Sequence, residues 1–148
     1  MSYTQPPPLT NAEIDSFLRE QKIARICSLN EDGTIHATAV WFAYKDGCIM
    51  MLTPAATRKV RNIRRERNVT VFVDDPDTGK GVLIYGKGEL DYGCDVQEAI
   101  SLFEKYMPKV EAEKSARDFT VTSKGGCVRI IVKSDRIVSY DTTKDTLP

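Results

Sequence analysis

The chain has little from which to build a catalytic centre of its own. Its 148 residues hold one histidine, His36, and four widely spaced cysteines, Cys27, Cys48, Cys94 and Cys127. One histidine rules out a multi-histidine metal centre within one chain, and without a CxxC pair a zinc site is not expected, so no metal ligand is assigned. No GxGxxG follows the first expected strand and no GxxxxGK[ST] occurs, which argues against a dinucleotide-binding Rossmann domain and a nucleotide-hydrolysing P-loop. Net charge is missing too: 21 Lys+Arg balance 21 Asp+Glu. A dedicated nucleic-acid binder is normally basic across the domain, so no nucleic-acid partner is expected. No apolar run reaches membrane-spanning length, and the opening MSYTQPPPLT lacks the charged-then-apolar order of a signal peptide. A cytoplasmic location without membrane association follows as the expectation. That setting disfavours disulfides, and Cys27, Cys48 and Cys127 each lie in apolar runs where they read as small buried hydrophobes.

What is present is an ordinary globular composition, 41% apolar and 28% charged, in a length that suits one domain. The segment 1–10, with Pro6-Pro7-Pro8, is an extended lead-in. Thr10 and Glu13 form a capping box before Ile14, Phe17 and Leu18, which predicts a helix over 11–21. Strands are expected at Ile23–Leu29, Ile35–Tyr44, Cys48–Thr53, Val69–Asp74, Gly81–Tyr92, Cys127–Lys133 and Arg136–Tyr140. Helices are expected over 56–66, over 94–107 ahead of Pro108, and as a short piece within 109–119. Gly86 and Gly88 inside the long strand signal a bulge, a bend or close backbone approach. Residues 11–140 thus read as one mainly β (α+β) domain, a split antiparallel β-barrel of six to seven strands with flanking helices, followed by a flexible tail at 141–148.

The densest functional signal runs from Asp32 to Arg65. Two Asp-Gly turns, Asp32-Gly33 and Asp46-Gly47, bracket an apolar strand. A second strand ends at Thr53-Pro54, and a small-residue turn leads into a helix opening Thr57-Arg58-Lys59. A helix N-terminus offers unpaired N–H groups and the positive end of its dipole; a hydroxyl and two cations there suit a phosphate. The same segment also reads more plainly, since RKVRNIRRER is a charge run of the kind that usually forms a solvated helix face, anchored here by Val60 and Ile63.

The order of these features resembles the split β-barrel flavin-binding family related to pyridoxamine 5′-phosphate oxidase. The parts that carry the likeness are the helix before IARICSL, the strand DGTIHATAVWF, the strand KDGCIMMLT, the helix start TRKVRNI and the GKGEL segment of the long strand, together covering about residues 11–140. The resemblance implies a homodimer with FMN sites at the interface and a small-molecule substrate. It places the flavin ring near Val40 and Trp41, the ring edge and ribityl chain near Leu52 and Thr53, the phosphate at Thr57, Arg58 and Lys59, and partner-chain residues near Lys80. It names no catalytic residue, because in such a site the cofactor carries the redox chemistry. A deazaflavin, coenzyme F420, is the alternative cofactor, and a non-enzymatic flavin or haem binder is the alternative role. Haem would require an axial ligand, for which His36 is the one histidine available. His36 is expected to stand about 13 Å along the strand from Val40, outside the site. The ending VSYDTTKDTLP lacks the basic and aromatic substrate motif of true pyridoxamine phosphate oxidases, so vitamin oxidation is not implied.

Overall fold

A computed structural model describes residues 6–144. The helix α1 (Asn11–Glu20) begins at the expected capping box: the Thr10 hydroxyl accepts from the Glu13 N–H at 3.2 Å and the Glu13 carboxylate accepts from the Thr10 N–H at 3.1 Å. Then follow β1 (Ile23–Leu29), β2 (Ile35–Trp41), β3 (Ala43–Lys45), β4 (Cys48–Pro54), α2 (Arg58–Arg65), β5 (Asn68–Asp75), β6 (Lys80–Tyr92), α3 (Val96–Phe103), α4 (Lys109–Thr122) and β7 (Cys127–Asp141). The seven strands form one antiparallel sheet in the order β2-β1-β5-β6-β7-β4-β3. This sheet curls into the expected split barrel.

Three elements differ from the sequence reading. The run 35–44 is not one strand: it breaks at Phe42, so that β2 pairs with β1 and β3 pairs with β4. One bent stretch of chain thereby links the two ends of the sheet, which is how the sheet curls nearly closed. Conversely, the two final strands are one fifteen-residue strand, β7. A bulge takes up the irregularity opposite Tyr85 and Gly86, where Tyr85 pairs with Arg136 and Gly86 with Ser134. The charged piece after Pro108 is a full fourteen-residue helix, α4.

The expected tail also begins later. Asp141 closes β7, its N–H donating to the Pro7 carbonyl at 2.8 Å, and Thr142–Lys144 form a 3-10 turn. Lys144 Nζ reaches the Glu13 carboxylate at 2.6 Å, clasping the chain end to α1. Residues 145–148 of that tail and 1–5 of the lead-in lie outside the described residues.

The barrel interior is filled from alternate positions of the strands, among them Ile26, Met51, Val71, Val82 and Ile130, with α1 closing one end through Phe17 and Leu18. A second apolar cluster joins α3 and α4 through Ala99, Leu102, Phe103, Ala112 and Ala116. The strand glycines serve packing within the chain. A Cβ on Gly86 would stand 2.0 Å from the Lys133 carbonyl, and one on Gly88 would meet Ile63 of α2 at 3.1 Å. The close approach expected at these glycines is therefore to β7 and α2.

The cysteine expectation is overturned at one pair. Cys94 and Cys127, 33 residues apart, are disulfide-bonded with Cα atoms 5.7 Å apart, while Cys27 and Cys48 are free. The spacing hid the pair because only the return of the chain along β7 brings Cys127 beside the start of α3. Among the described residues no helix is long and apolar enough to cross a membrane.

Candidate functional site

The bend at Phe42 builds the site. Phe42 is fully buried, and its backbone is held by the segment between α3 and α4. Its N–H donates to Tyr106 Oη at 2.9 Å, and its carbonyl accepts from Lys105 Nζ at 3.1 Å. Tyr106 Oη in turn donates to the Lys22 carbonyl at 2.7 Å. With the backbone pinned there, Trp41 is turned outward. Its indole stacks on the Tyr106 ring (centroids 4.3 Å apart, planes 8° apart) and meets Phe103 edge-on at 5.3 Å. Burial raises the Tyr106 phenol above its usual range, so it stays a neutral hydroxyl able to donate and accept at once.

Beside this stack lies a cavity of about 440 Å³. Val40, Trp41, Leu52 and Lys59 line it, with Ile23, Ala39, Leu102, Phe103 and Phe119. Lys59 is the only ionisable side chain in that wall, and it forms no ion pair among the described residues. Burial pushes its ammonium below the ordinary lysine range, the signature of a cation short of water and of a counter-charge. The cavity thus combines a flat aromatic wall with one desolvated cation.

The start of α2 adds further polar capacity. Thr57 occupies the N-cap position in extended conformation, yet its hydroxyl makes no cap bond. Among the described residues the Thr57 and Thr53 hydroxyls are both buried without a partner. The first-turn N–H groups of α2 consequently have no side-chain acceptor, which leaves the helix dipole free to meet an anion.

The expected residues are gathered only in part. Val40, Trp41, Leu52 and Lys59 share one cavity. Thr53 follows Leu52 on β4 and therefore faces the other way, into the barrel, where it is 2% exposed. Arg58 is not beside Lys59: adjacent helix residues point about 100° apart, and Arg58 lines a separate polar cavity of about 350 Å³ with Arg61, Arg65, Asn30, Glu31 and Asp32. The arginines of the run to Arg67 are exposed, as a solvated face requires, and three of them are also held by partners. Arg64 donates to Tyr92 Oη, Arg65 to the Leu29 carbonyl, and Arg67 pairs with Glu89. Lys80 sits at the opposite end of β6, registered with Asp75 and Asp141. Tyr92, at the near end, registers with Val128, which pairs with Thr53. Twelve strand steps separate Lys80 from Tyr92, on the order of 40 Å, so within one chain Lys80 does not reach the cavity. His36 lines none of this wall. It pairs across from Ser28, and its Nδ1 is buried without a partner.

Sequence reading missed Tyr106 and Phe119, and it took Phe103 for a core position only. The helical spacing of Phe103 was visible, but nothing local showed that α3 and α4 would fold back over β2.

A family model described as pyridoxamine 5′-phosphate oxidase matches residues 10–123. Among solved structures, a conserved hypothetical protein of Mycobacterium tuberculosis is 26% identical, with a TM-score of 0.81, 99% of this chain and 94% of that chain covered. A structure named F420 reductase is 22% identical with a TM-score of 0.67, covering 83% and 94% of the two chains. An FAD-binding protein of Mesorhizobium loti is 17% identical with a TM-score of 0.63, covering 90% and 93%. No curated protein matches at a significant level.

Proposed function

Since the chain belongs to the pyridoxamine 5′-phosphate oxidase family, with the family's flavin-binding, oxidoreductase-like fold, we propose that it is an FMN-dependent oxidoreductase whose isoalloxazine ring lies in the cavity between Trp41 and Lys59. The observation that carries this reading is the pairing of an apolar aromatic wall with a half-buried, unpaired lysine. FMN is a flat aromatic ring system, apolar at its benzenoid end and polar at its pyrimidine end, joined to a polyol and a phosphate. Val40, Trp41 and Leu52 would hold the ring, and Lys59 with the uncapped start of α2 would hold negative charge. The orphaned Thr57 hydroxyl stands at the turn that the polyol would cross. Bound there, the flavin supplies the hydride and electron transfer; the chain binds, orients and excludes water.

The site is shared in this reading. Cross-strand pairs Ile23–Trp41 and Leu29–Ile35 present apolar side chains on the outer face of β1 and β2, with Ile35 69% exposed. A second copy on that face would cover them and border the cavity, giving a homodimer.

Coenzyme F420 is the second reading. It carries more negative charge beyond its ring than FMN does, and Arg58, Arg61 and Arg65 line a polar cavity on the same helix. The experiment is a titration of the purified protein with FMN and with F420, read by the fluorescence of Trp41, the chain's one tryptophan, and by visible absorption. Saturable quenching by FMN with a perturbed flavin spectrum is expected. Quenching by F420 alone would select the second reading, and no response to either would overturn both.

A further inference from the structure

Cys94 stands immediately before α3, and Cys127 opens β7 just after α4. Their disulfide therefore closes a loop containing the whole α3–α4 hairpin. That hairpin contributes Leu102, Phe103 and Phe119 to the cavity wall. The same cysteine also borders the turn that launches α2. Pro54 registers with Cys127, the Ala55 N–H donates to the Gly126 carbonyl at 2.8 Å, and the Ala56 N–H donates to the Lys124 carbonyl at 3.1 Å. One covalent link thus restrains both the cover of the cavity and the segment before the uncapped helix start.

We propose that the Cys94–Cys127 disulfide is a redox-controlled staple that holds the α3–α4 cover closed over the cavity. Its Cα separation of 5.7 Å suits a disulfide in the folded chain. Cys94 is only partly buried, so an exchanging thiol can reach the bond. The chemistry is thiol–disulfide exchange with a small dithiol or two monothiols. A thiolate attacks one sulfur and forms a mixed disulfide, and a second thiolate releases the oxidised reagent. Cys94 and Cys127 are left as two thiols after gaining two electrons and two protons. Opening the link restores chain freedom to the hairpin, which then rests on the α3–α4 cluster, on the Glu98–Arg129 pair to β7 and on the bonds of Lys105 and Tyr106 to Phe42.

The effect on cofactor retention rests on the flavin reading above, so the test has two readouts. Protein held with glutathione disulfide is compared with protein held with dithiothreitol and with Cys94→Ser. Alkylation and mass spectrometry should find Cys94 and Cys127 protected only in the oxidised protein. Amide exchange over residues 96–122 should be faster in the reduced protein and in Cys94→Ser. FMN dissociation should be faster by roughly tenfold in both, the equivalent of part of a disulfide's usual contribution. Full alkylation of all four cysteines under oxidising conditions, or identical exchange over 96–122 in both states, would overturn the staple. If FMN binds neither state, the flavin reading fails, and the exchange comparison alone decides the staple. Should Cys94→Ser not fold, the reversible reduction of the unaltered chain gives the same comparison.

Discussion

Lys59 is the residue on which cofactor binding turns. It is half-buried in a wall shared with aromatic side chains and makes no ion pair among the described residues. Lys59→Ala should weaken FMN binding by about 1.5–3 kcal/mol, the range for a hydrogen bond to a charged group. Lys114→Ala, on the exposed face of α4, should change it little. Arg65 is a poor control, because its guanidinium holds the Leu29 carbonyl and its loss would disturb the end of β1. Equal losses at Lys59 and Lys114 would show nonspecific attraction. The depressed lysine pKa gives a further expectation with a definite sign. The charged form is what meets the phosphate, so affinity should fall as pH rises through the depressed value, before the ordinary 10.5 is reached. Lys59→Arg should shift that fall to higher pH; an unshifted profile would assign it to another group. His36→Gln should leave FMN affinity unchanged, since the imidazole stands roughly 13 Å of strand away from Val40 and outside the cavity wall.

At the scale of elements, two small devices hold the site and the chain ends. The bend at Phe42 places β2 and β3 against different neighbours and turns Trp41 outward. Tyr106→Phe keeps the ring stack but removes the hydroxyl from the Phe42 and Lys22 backbone. It should destabilise the fold by about 1–3 kcal/mol, because a buried donor is left unpaired, and should alter Trp41 emission. A thermal melt and the emission spectrum check both. The second device is the clasp of α1. The Lys144 ammonium and then the Thr10 N–H and hydroxyl hold the Glu13 carboxyl down to a pKa of about 2, from an ordinary 4.5. A depressed carboxyl contributes stability above its unfolded pKa and loses it as pH falls through the folded one. Acid unfolding should therefore steepen between pH 4.5 and about 2. Glu13→Gln should flatten that limb; an unchanged limb would place the acid sensitivity elsewhere.

The whole molecule presents apolar side chains on the outer face of β1 and β2, covered by α3 and α4 only beside Trp41 among the described residues. Ile35 and Leu29 pair across β1 and β2 there, as do Ile23 and Trp41. Sedimentation at micromolar concentration should give a dimer, and Ile35→Glu should move it towards monomer while leaving the melting curve of the monomer cooperative. A monomeric unaltered chain would sink both the dimer and the shared site. The molecule is also electrically balanced, and Arg64, Arg65 and Arg67 are held by Tyr92, Leu29 and Glu89. No duplex or single-strand binding is expected at physiological salt. Tight binding with a steep salt dependence would reverse that ranking.

The sequence alone determined whatever depends on neighbours along the chain. The capping box at Thr10 and Glu13, most of the strand runs with their period of two, the Asp-Gly turns and the basic start of α2 are local patterns, and the structure keeps them. The likeness to a flavin-binding barrel was carried by the order of these local patterns, and the family match covers most of the same span. What only the tertiary structure decided involves residues far apart in sequence. The break at Phe42 has no glycine or proline to announce it, because the cause is Tyr106, 64 residues away. The separation of Arg58 from Lys59 follows from which face of α2 packs on the barrel. Phe103 and Phe119 become walls of the cavity, and Cys94 meets Cys127, only because α3 and α4 fold back between β6 and β7. Burial and long-range pairing decide such features, and neither is a property of any short window of the chain.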